Sequence, residues 1–263
     1  MSPITVLAAG DIVGRPGRRT VSELVPAIRR REGVGFCLAN GENAAGGAGI
    51  TPDCAAELFA AGIDVITSGD HIYDNRGILQ IIGEEPRLLR PANFSESAAG
   101  RGFGLFQIAG GPPAGVVNLI GRTFLAQADC PFAAADRAIE SLRKEAKIII
   151  VDMHAEATSE AVAMGWFLDG RVSAVLGTHT HVQTADETIL PNGTAYITDM
   201  GMTGAHRSIL GREIEPVLRH FRTGMPARFE VAELDLRLSG VLLTIDPETG
   251  RALSVRRIQE RLA

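Results

Sequence analysis

The chain has 263 residues, of which 45% are hydrophobic and 22% charged, with a formal net charge of −5. This composition predicts a folded globular protein, and the negative charge disfavours a protein that grips nucleic-acid backbone over a broad surface. The N-terminus lacks a basic start followed by a long apolar stretch, and no apolar run approaches the length of a membrane span. We therefore expect a cytoplasmic protein without a membrane partner. The three cysteines, Cys37, Cys54 and Cys130, lie far apart and predict neither a disulfide framework nor a zinc ribbon.

Short apolar runs alternate with helical patterns through the first two-thirds of the chain. Helices are predicted over 16–31, 52–61, 75–82, 131–144 and 159–167. Strands are predicted at 4–9, 34–39, 63–67, 104–108, 115–120, 147–151 and 172–176. The runs at 104–108 and 115–120 flank a Gly-Gly-Pro-Pro turn, which indicates a hairpin. The alternation of strands and helices otherwise favours a largely parallel sheet.

The last third, from Tyr196 on, is richer in strands than in helices. Strands are predicted at 194–198, 229–231, 236–245 and 253–258, with a glycine-broken loop through Gly204 and a helix over 213–221. These strands either extend the first sheet as antiparallel hairpins or pack as a second sheet. Since no repeat or linker interrupts the chain, we predict a single domain over 1–263, built as a layered α/β sandwich.

Side chains that can bind metals follow five of the predicted strands: Asp11, Glu42, Asp70 with His71, His154, and His179 with His181. The carboxyl ends of strands form the ligand crevice of open α/β sheets, so we expect these side chains to converge. His179 and His181 can both turn inward if the backbone stays extended, because alternate residues of a strand share a face. Each residue alone has a simpler explanation, such as a helix cap or a core histidine. The joint pattern predicts one shared metal site.

The number and type of these side chains bear on the metal. Several carboxylates and three or more imidazoles are more ligands than one ion can bind. Two ions that share one bridging carboxylate can bind all of them. A mixture of nitrogen and oxygen ligands without thiolate favours Fe, Mn, Zn, Co or Ni over Ca or Mg alone. Two metals close together suit phosphoryl chemistry, because they bind substrate oxygens and lower the pKa of a bridging water.

The motifs around these residues resemble the ordered set of the calcineurin-like metallophosphoesterases, and more narrowly of their bacterial YmdB-type branch. The strings that carry the resemblance are Gly-Asp-Ile-Val-Gly-Arg-Pro-Gly-Arg from Gly10, Asn-Gly-Glu-Asn-Ala-Ala from Asn40, Gly-Asp-His from Gly69, Arg-Pro-Ala-Asn-Phe from Arg90, Gly-Arg-Thr-Phe from Gly121, His-Ala-Glu-Ala-Thr-Ser-Glu from His154, Gly-Thr-His-Thr-His from Gly177 and Gly-Thr-Ala-Tyr-Ile-Thr-Asp from Gly193. The resemblance implies two mixed β-sheets flanked by helices, two metal ions, and phosphodiesterase activity that includes cyclic nucleotides.

The resemblance also implies a role for each site residue. One ion is held by Asp11, Glu42, Asn43 and His181, and the other by Glu42, Asp70, His154 and His179, with Glu42 as the bridge. A hydroxide that bridges the metals is the nucleophile, and His71 is the general acid that protonates the leaving oxygen. The implied partner is a small phosphodiester or nucleotide substrate, and association into a homo-oligomer is plausible.

Three positions depart from the superfamily pattern. Val13 stands where a histidine is usual, and Glu42 where the bridge is usually aspartate; both fit the narrower branch and favour Fe or Mn without excluding Zn. Asp70 stands where the family has asparagine before the catalytic histidine. A third carboxylate should hold cations more tightly, reduce their Lewis acidity and favour protonated His71.

Other functions and weaker site candidates stay open at this point. The alternatives are a phosphomonoesterase, a regulatory or RNA-associated protein with a weakly active metal site, and a dinucleotide-binding protein built on Gly10, Gly14 and Gly17. The glycine spacing does not match Gly-x-Gly-x-x-Gly, and the low charge disfavours RNA binding. The weaker assignments are the loop 44–49 as a phosphate cradle, Arg122 as a phosphate contact or structural ion pair, Trp166 and Phe167 as core anchors, and His206 and His220 as surface or packing residues.

Overall fold

A computed structural model describes residues 2–125 and 127–263 as thirteen strands, five α-helices and one 3₁₀ helix. The strands are β1 (Ile4–Ala9), β2 (Asp11–Ile12), β3 (Val34–Asn40), β4 (Val65–Thr67), β5 (Phe103–Gln107), β6 (Pro113–Ile120), β7 (Ile148–His154), β8 (Ala174–Thr178), β9 (Thr188–Ile189), β10 (Ala195–Ile197), β11 (Met202–Ala205), β12 (Leu236–Ile245) and β13 (Ala252–Arg261). The helices are α1 (Gly14–Glu32), α2 (Pro52–Ala60), α3 (Pro131–Leu142), α4 (Thr158–Leu168) and α5 (Ile214–Thr223), and the 3₁₀ helix is Arg76–Gln80.

The strands form two mixed sheets, as the resemblance implies. The first has the order β2-β11-β12-β1-β3-β4, and β13 pairs with β12; the second has the order β5-β6-β7-β8-β10-β9. Strands β1, β3 and β4 run parallel, as do β6, β7, β8 and β10. The expected hairpin is the antiparallel pair β5 and β6, and β12 with β13 forms the antiparallel addition to the first sheet.

Alternating side chains divide the core into three layers. In β1 and β3, Val6 and Phe36 point into the space between the sheets, where they meet Ile150 of β7. Their neighbours Leu7 and Cys37 point the other way and pack under the apolar side of α1 and α2. A third cluster lies under α3 and α4 on the outer side of the second sheet. Each central strand is therefore buried on both faces, which explains its continuous apolar run.

Several elements differ from the predictions. Residues 202–205 are strand β11 rather than loop, and the predicted strand at 229–231 is reduced to one bridge between Val231 and Arg212. The predicted helix at 75–82 is the shorter 3₁₀ helix. Trp166 is 58% exposed and Phe167 is 37% exposed, so neither anchors the core. The buried side of α4 is Ala161, Met164, Gly165 and Leu168.

Two short strands, β2 and β9, carry no apolar run of their own and were not predicted. No helix within 2–125 and 127–263 is long and apolar enough to cross a membrane. The three cysteines are free thiols, as the sequence predicts.

Candidate metal centre

The strand ends of both sheets meet at one place. In the first sheet, Asp11 follows β1, Glu42 lies two residues beyond β3, and Asp70 lies three residues beyond β4. In the second sheet, β7 ends at His154 and His179 comes directly after β8. Because parallel strands present their carboxyl ends at the same edge, these side chains are gathered where the two edges face each other.

Four of the predicted residues form a compact group of potential ligands. One ligand atom from each of Glu42, Asp70, His154 and His179 lies within 4.8 Å of the other three. His154 Nε2 is 3.2 Å from both Glu42 Oε1 and Asp70 Oδ1, and 3.0 Å from His179 Nδ1. These are the four residues that the resemblance implies for one ion.

The three other predicted ligands adjoin this group at Glu42. Asn43 Nδ2 lies 3.1 Å from Glu42 Oε1 and 3.3 Å from His181 Nε2, which in turn is 3.9 Å from Asp11 Oδ1. Among the described residues Asp11 Oδ1 has no hydrogen-bond partner although it is buried, and burial raises the pKa of Asp11 to about 7. A buried carboxylate oxygen without a donor fits a cation, so this donor set suits the metals that the fold implies.

His154 is oriented by a buried polar network behind it. Its Nδ1 lies 3.0 Å from Thr178 Oγ1, and the Thr178 hydroxyl donates to Asp152 Oδ1 at 2.7 Å. Thr67 and Asn40 donate to the other oxygen of Asp152. Since the single hydroxyl proton of Thr178 goes to Asp152, its oxygen accepts from Nδ1–H of His154. This tautomer leaves Nε2 directed at Glu42 and Asp70.

The other two histidines also have their second ring nitrogen engaged. His179 turns Nδ1 towards Asp70 and places Nε2 3.0 Å from the carboxylate of Glu156. His181 turns Nε2 towards Asn43 and places Nδ1 3.2 Å from the carbonyl oxygen of Leu210. Partners of this kind fix both the tautomer and the ring orientation of a metal-binding histidine.

The backbone between His179 and His181 is not extended. Strand β8 ends at Thr178, and both histidines have positive φ, 104° for His179 and 66° for His181. The expectation that both rings project from one strand face is therefore wrong. Asp199 supports the turn, because its carboxylate accepts hydrogen bonds from the backbone and hydroxyl of Thr180, both at 2.9 Å, and from the backbone N–H of Gly201 at 2.6 Å.

The carboxylates dominate the electrostatics. Burial lowers the pKa of His154, but the charges of Glu42, Asp70 and Asp11 outweigh it and raise that pKa well above its ordinary value. Burial and the neighbouring His154 lower the pKa of His179. The site is thus a buried concentration of negative charge that favours a positive species at its centre.

His71 stands at the edge of this group and is 39% exposed. Its backbone N–H donates to Glu42 Oε2 at 3.3 Å, and its Nδ1 lies 2.8 Å from Asp74 Oδ2. Burial lowers the pKa of His71, but the carboxylates of Glu42, Asp70 and Asp74 raise it above its ordinary value in sum. The structure therefore places an accessible imidazole, with its pKa raised, beside the candidate ligands.

Sequence reasoning missed the supporting residues Asp74, Asp152, Glu156, Thr178 and Asp199. Two of them had a local signal: Asp74 is three residues after His71, and Glu156 two residues after His154. Asp152 and Thr178 are also close in sequence to His154 and His179, and Asp199 ends the string from Gly193, but their roles depend on contacts between segments that the sequence does not show.

The remaining candidates have structural explanations. Gly10 and Gly17 allow close approach of strand β11, because a Cβ there would lie 1.8 Å from Gly201 O and 2.5 Å from Thr203 O. In the loop 44–49, the N–H groups of Ala45, Gly47 and Ala48 donate within the segment 43–49, and the carbonyls of Gly46 and Gly47 accept from Arg212. The backbone N–H of Arg122 donates to Glu160, and a phosphate contact or ion pair of its guanidinium stays a prediction. His206 Nε2 lies 3.3 Å from Met202 O, and His220 Nδ1 lies 2.8 Å from Met225 O, in agreement with surface or packing roles.

Comparison with known proteins identifies close relatives. The model of a family described as YmdB-like protein matches residues 7–258. A protein of Bacillus subtilis (strain 168) named 2′,3′-cyclic-nucleotide 2′-phosphodiesterase is 49% identical over 96% of both chains. A solved hypothetical protein from Thermus thermophilus is 40% identical with a TM-score of 0.92, over 98% of this chain and 99% of the other. A solved protein described as a novel phosphatase, from Mycoplasma pneumoniae, is 30% identical with a TM-score of 0.92, over 99% of this chain and 95% of the other.

Proposed function

This chain belongs to the YmdB-like protein family, and from that premise we propose that it is a metal-dependent phosphodiesterase that hydrolyses cyclic nucleotides. It has the metallophosphoesterase fold of its solved relatives. The observation that carries the proposal is the meeting of two sets of potential ligands at one buried carboxylate, Glu42. The name of the Bacillus relative supports a 2′,3′-cyclic nucleotide as the substrate.

Two ions fit this arrangement better than one. One group of potential ligands consists of Glu42 with Asp70, His154 and His179. Asn43 contacts Glu42 and His181, and His181 lies near Asp11, so these three residues form a second group next to Glu42. We propose Glu42 as the shared ligand. Nitrogen and oxygen donors without thiolate suit Fe, Mn, Zn, Co or Ni, and the few nitrogen ligands of the first ion favour Fe or Mn without excluding Zn. Two bound ions supply the positive charge that activates water and stabilises the phosphoryl oxygens.

His71 is the proposed general acid. The neighbouring carboxylates favour its protonated form by raising its pKa, and with Asp74 accepting from Nδ1–H, Nε2–H is the proton available to substrate. As the oxygen of water bonds to phosphorus and the ester bond breaks, the leaving ribose oxygen takes this proton. The proton that water gives up passes to solvent, and solvent reprotonates His71. Cleavage of the bond to the 2′ oxygen would yield a nucleoside 3′-monophosphate.

A phosphomonoesterase is the second candidate, favoured by the description of the Mycoplasma pneumoniae relative as a phosphatase. The same two ions and the same acid would serve a monoester, so the reaction type has to be separated by substrate. A regulatory or RNA-associated role would leave the orientation of these histidines by their hydrogen-bond partners without a purpose.

The proposal is tested with Mn²⁺-loaded protein and three substrates: 2′,3′-cyclic AMP, an aryl phosphodiester and an aryl phosphomonoester. We expect turnover of both diesters to exceed that of the monoester. His181→Ala should lose metal and activity together, whereas His71→Ala should keep its metal and lose about 10²–10⁴-fold in kcat. His206→Ala, a histidine outside the site, is the matched control and should remain active.

Two outcomes would contradict the proposal. Greater turnover of the monoester would make the protein a phosphatase. An unchanged rate in His71→Ala would remove that histidine from the reaction while leaving the metal centre in place.

A further inference from the structure

The side chain of Arg90 is a buried cation. It is 6% exposed, and among the described residues it is the only arginine or lysine that is buried. Its Nη1 donates to the carbonyl oxygen of Pro91, and its Nη2 to those of Ser95 and Ala98. Its Nε is buried without a hydrogen-bond partner, and within 2–125 and 127–263 no carboxylate forms an ion pair with it. Buried charges in proteins are almost always paired, so this guanidinium favours an anion beside it.

Arg90 lines a cavity of about 560 Å³ between the segment 90–102, the start of β5 and helix α3. Arg101 lines the same cavity from the residues before β5, and Arg137 lines it from α3. Both of these arginines are exposed, and in the described part of the chain neither forms an ion pair. Sites for small molecules have volumes of roughly 300–1,000 Å³, so this cavity is large enough for one. Three arginines from separate parts of the fold thus line one space of ligand size.

Two carboxylates, those of Glu96 and Asp129, also line this cavity. Both are exposed, and both line a neighbouring cavity as well, so they stand where the two cavities adjoin. The three arginines do not line the neighbouring cavity. Positive and negative side chains therefore occupy different parts of the wall, and the arginines are in excess by one charge. An anionic group of a ligand is favoured on the arginine side.

The rest of the wall is largely apolar and aromatic. Phe94 and Phe103, both half-buried, line the cavity together with Ala92 and Ala134. The ring of Phe94 lies 6.2 Å from the ring of Tyr73, which supports it from within the protein. Phenylalanine rings pack well against the flat rings of other molecules. The wall therefore suits a ligand in which an apolar or aromatic group adjoins the anionic group.

We propose that this cavity binds a phosphate monoester that carries an aromatic group, such as a nucleoside monophosphate. The phosphate lies against Arg90, Arg101 and Arg137, because guanidinium groups form charge-assisted hydrogen bonds that match phosphate oxygens. A phosphate dianion with three free oxygens can serve several guanidinium groups, whereas a carboxylate with two oxygens serves fewer. The aromatic group lies against Phe94 and Phe103.

The proposed site is separate from the candidate metal centre. The residues that line the cavity include none of the candidate metal ligands and none of the side chains that orient them. The string Arg-Pro-Ala-Asn-Phe from Arg90, which the metal centre does not use, supplies part of the wall. The inference is therefore independent of the proposed reaction.

The first test locates a probe in crystals of the metal-loaded protein. The probe is 4-bromophenylphosphonate, which has a dianion and a ring but a C–P bond in place of the hydrolysable ester. Anomalous scattering identifies its bromine. We expect a bromine position beside Phe94 or Phe103, in addition to any probe bound at the metals. A cavity that stays empty at probe concentrations that saturate binding in solution would overturn the proposed site.

The second test measures phenylphosphonate binding to the metal-loaded protein by isothermal titration calorimetry. The metal centre can also bind a phosphonate, so the cavity is identified as the binding event that Arg137→Glu removes. Arg137→Ala and Arg101→Ala should each weaken this event roughly three- to thirtyfold, through the loss of one charge-assisted contact. Arg30→Ala removes an exposed arginine of α1 and is the matched control, which should bind as the wild type does. Glu96→Gln should tighten binding, because it removes a negative charge from the wall.

Two comparison ligands test the chemical class. Methylphosphonate keeps the dianion but lacks the ring, and benzyl alcohol keeps the ring but lacks the charge. Both should bind the cavity more weakly than phenylphosphonate does, benzyl alcohol by roughly tenfold or more. The same number of binding events with the same affinities in the wild type and Arg137→Glu would overturn the site. Benzyl alcohol that binds as tightly as phenylphosphonate would overturn its assignment to phosphate monoesters.

Discussion

Replacing Thr178 by valine is expected to disconnect His154 from the buried carboxylate of Asp152. The Thr178 hydroxyl lies 3.0 Å from His154 Nδ1 and 2.7 Å from Asp152 Oδ1, and all three residues are inaccessible to solvent. Valine keeps the shape of threonine, but it neither accepts the imidazole N–H nor donates to the carboxylate. Two buried polar groups therefore lose a partner at once.

The size of the effect follows from these contacts. An unsatisfied buried donor or acceptor costs about 1–3 kcal/mol. Asp152 retains donors from Thr67 and Asn40, so we expect Thr178→Val to lower the free energy of unfolding by roughly 2–4 kcal/mol, the lower part of the sum for two groups. Thr178→Ser keeps the hydroxyl and loses one buried methyl group, which costs about 1 kcal/mol. Loss of such an outer partner typically weakens metal binding about 10- to 100-fold.

Urea unfolding of the metal-free variants measures the first quantity, and competition with a chelator for Mn²⁺ measures the second. We expect the valine variant to have both a lower free energy of unfolding and a lower affinity for Mn²⁺ than the serine variant. If serine and valine variants bind Mn²⁺ equally well, the Thr178 hydroxyl does not orient His154, and the account of its tautomer is wrong.

Three further predictions concern the site and its frame. Asp70→Asn removes one of the carboxylates that raise the pKa of His71, so the protonated acid should be lost at lower pH; the alkaline limb of the rate profile should move down and Mn²⁺ should bind more weakly, and an unmoved limb would contradict the role of Asp70. Glu156→Ala should weaken Mn²⁺ binding about tenfold and shift the His179 tautomer seen by ¹⁵N NMR in the metal-free protein, while Glu156→Gln, which keeps an acceptor oxygen, should retain most of both; equal behaviour of the two variants would exclude a hydrogen-bonding role. Gly177→Ala should abolish folding, because its Cβ would lie 1.6 Å from the carbonyl oxygen of Thr198, whereas Gly83→Ala, with open space around it, should be neutral in thermal unfolding; a stable Gly177→Ala variant would refute the tight packing of β8 on the segment that follows β10.

The central strands were predictable because each combines two local signals. An apolar run long enough for a strand is closed by a polar residue, as at 4–9 before Asp11 and at 147–151 before His154. The apolar run reflects the burial of the strand on both faces of the sheet. It ends in a polar residue where the strand reaches the edge of the sheet. The prediction for β1 matches the structure residue for residue. Strand β7 begins one residue later than predicted and continues through 152–154, the residues that lead into the site.

The errors in the last third arise where pairing outweighs local propensity. Strand β11 includes Gly204 and follows Gly201, and glycine weakens a strand considered alone. In the protein, Gly10 and Gly17 admit the close backbone of Gly201 and Thr203, and β11 pairs with β2 and β12, so the strand exists through its neighbours. The apolar alternation at 229–231 has no strand beside it, and only Val231 pairs.

The supporting residues of the site were beyond sequence reasoning for a related reason. The carbonyl that receives Nδ1–H of His181 belongs to Leu210, and any residue type has a carbonyl. Thr178 was visible, but its role depends on Asp152 in the neighbouring strand. Candidate metal ligands can be recognised in the sequence by their residue type. Their hydrogen-bond partners can be recognised only from their positions in the folded structure.

The bend at Thr180 explains how one tripeptide supplies both groups of the candidate site. In an extended chain, the rings of His179 and His181 would stand on one face roughly 6–7 Å apart, the rise of two strand residues. The positive φ values turn them apart, so His179 reaches His154 while His181 reaches Asn43. A left-handed residue other than glycine costs about 1–2 kcal/mol. Three hydrogen bonds to Asp199 and one from the His179 backbone to Asp11 offset that cost, so the strain is retained where the site needs it.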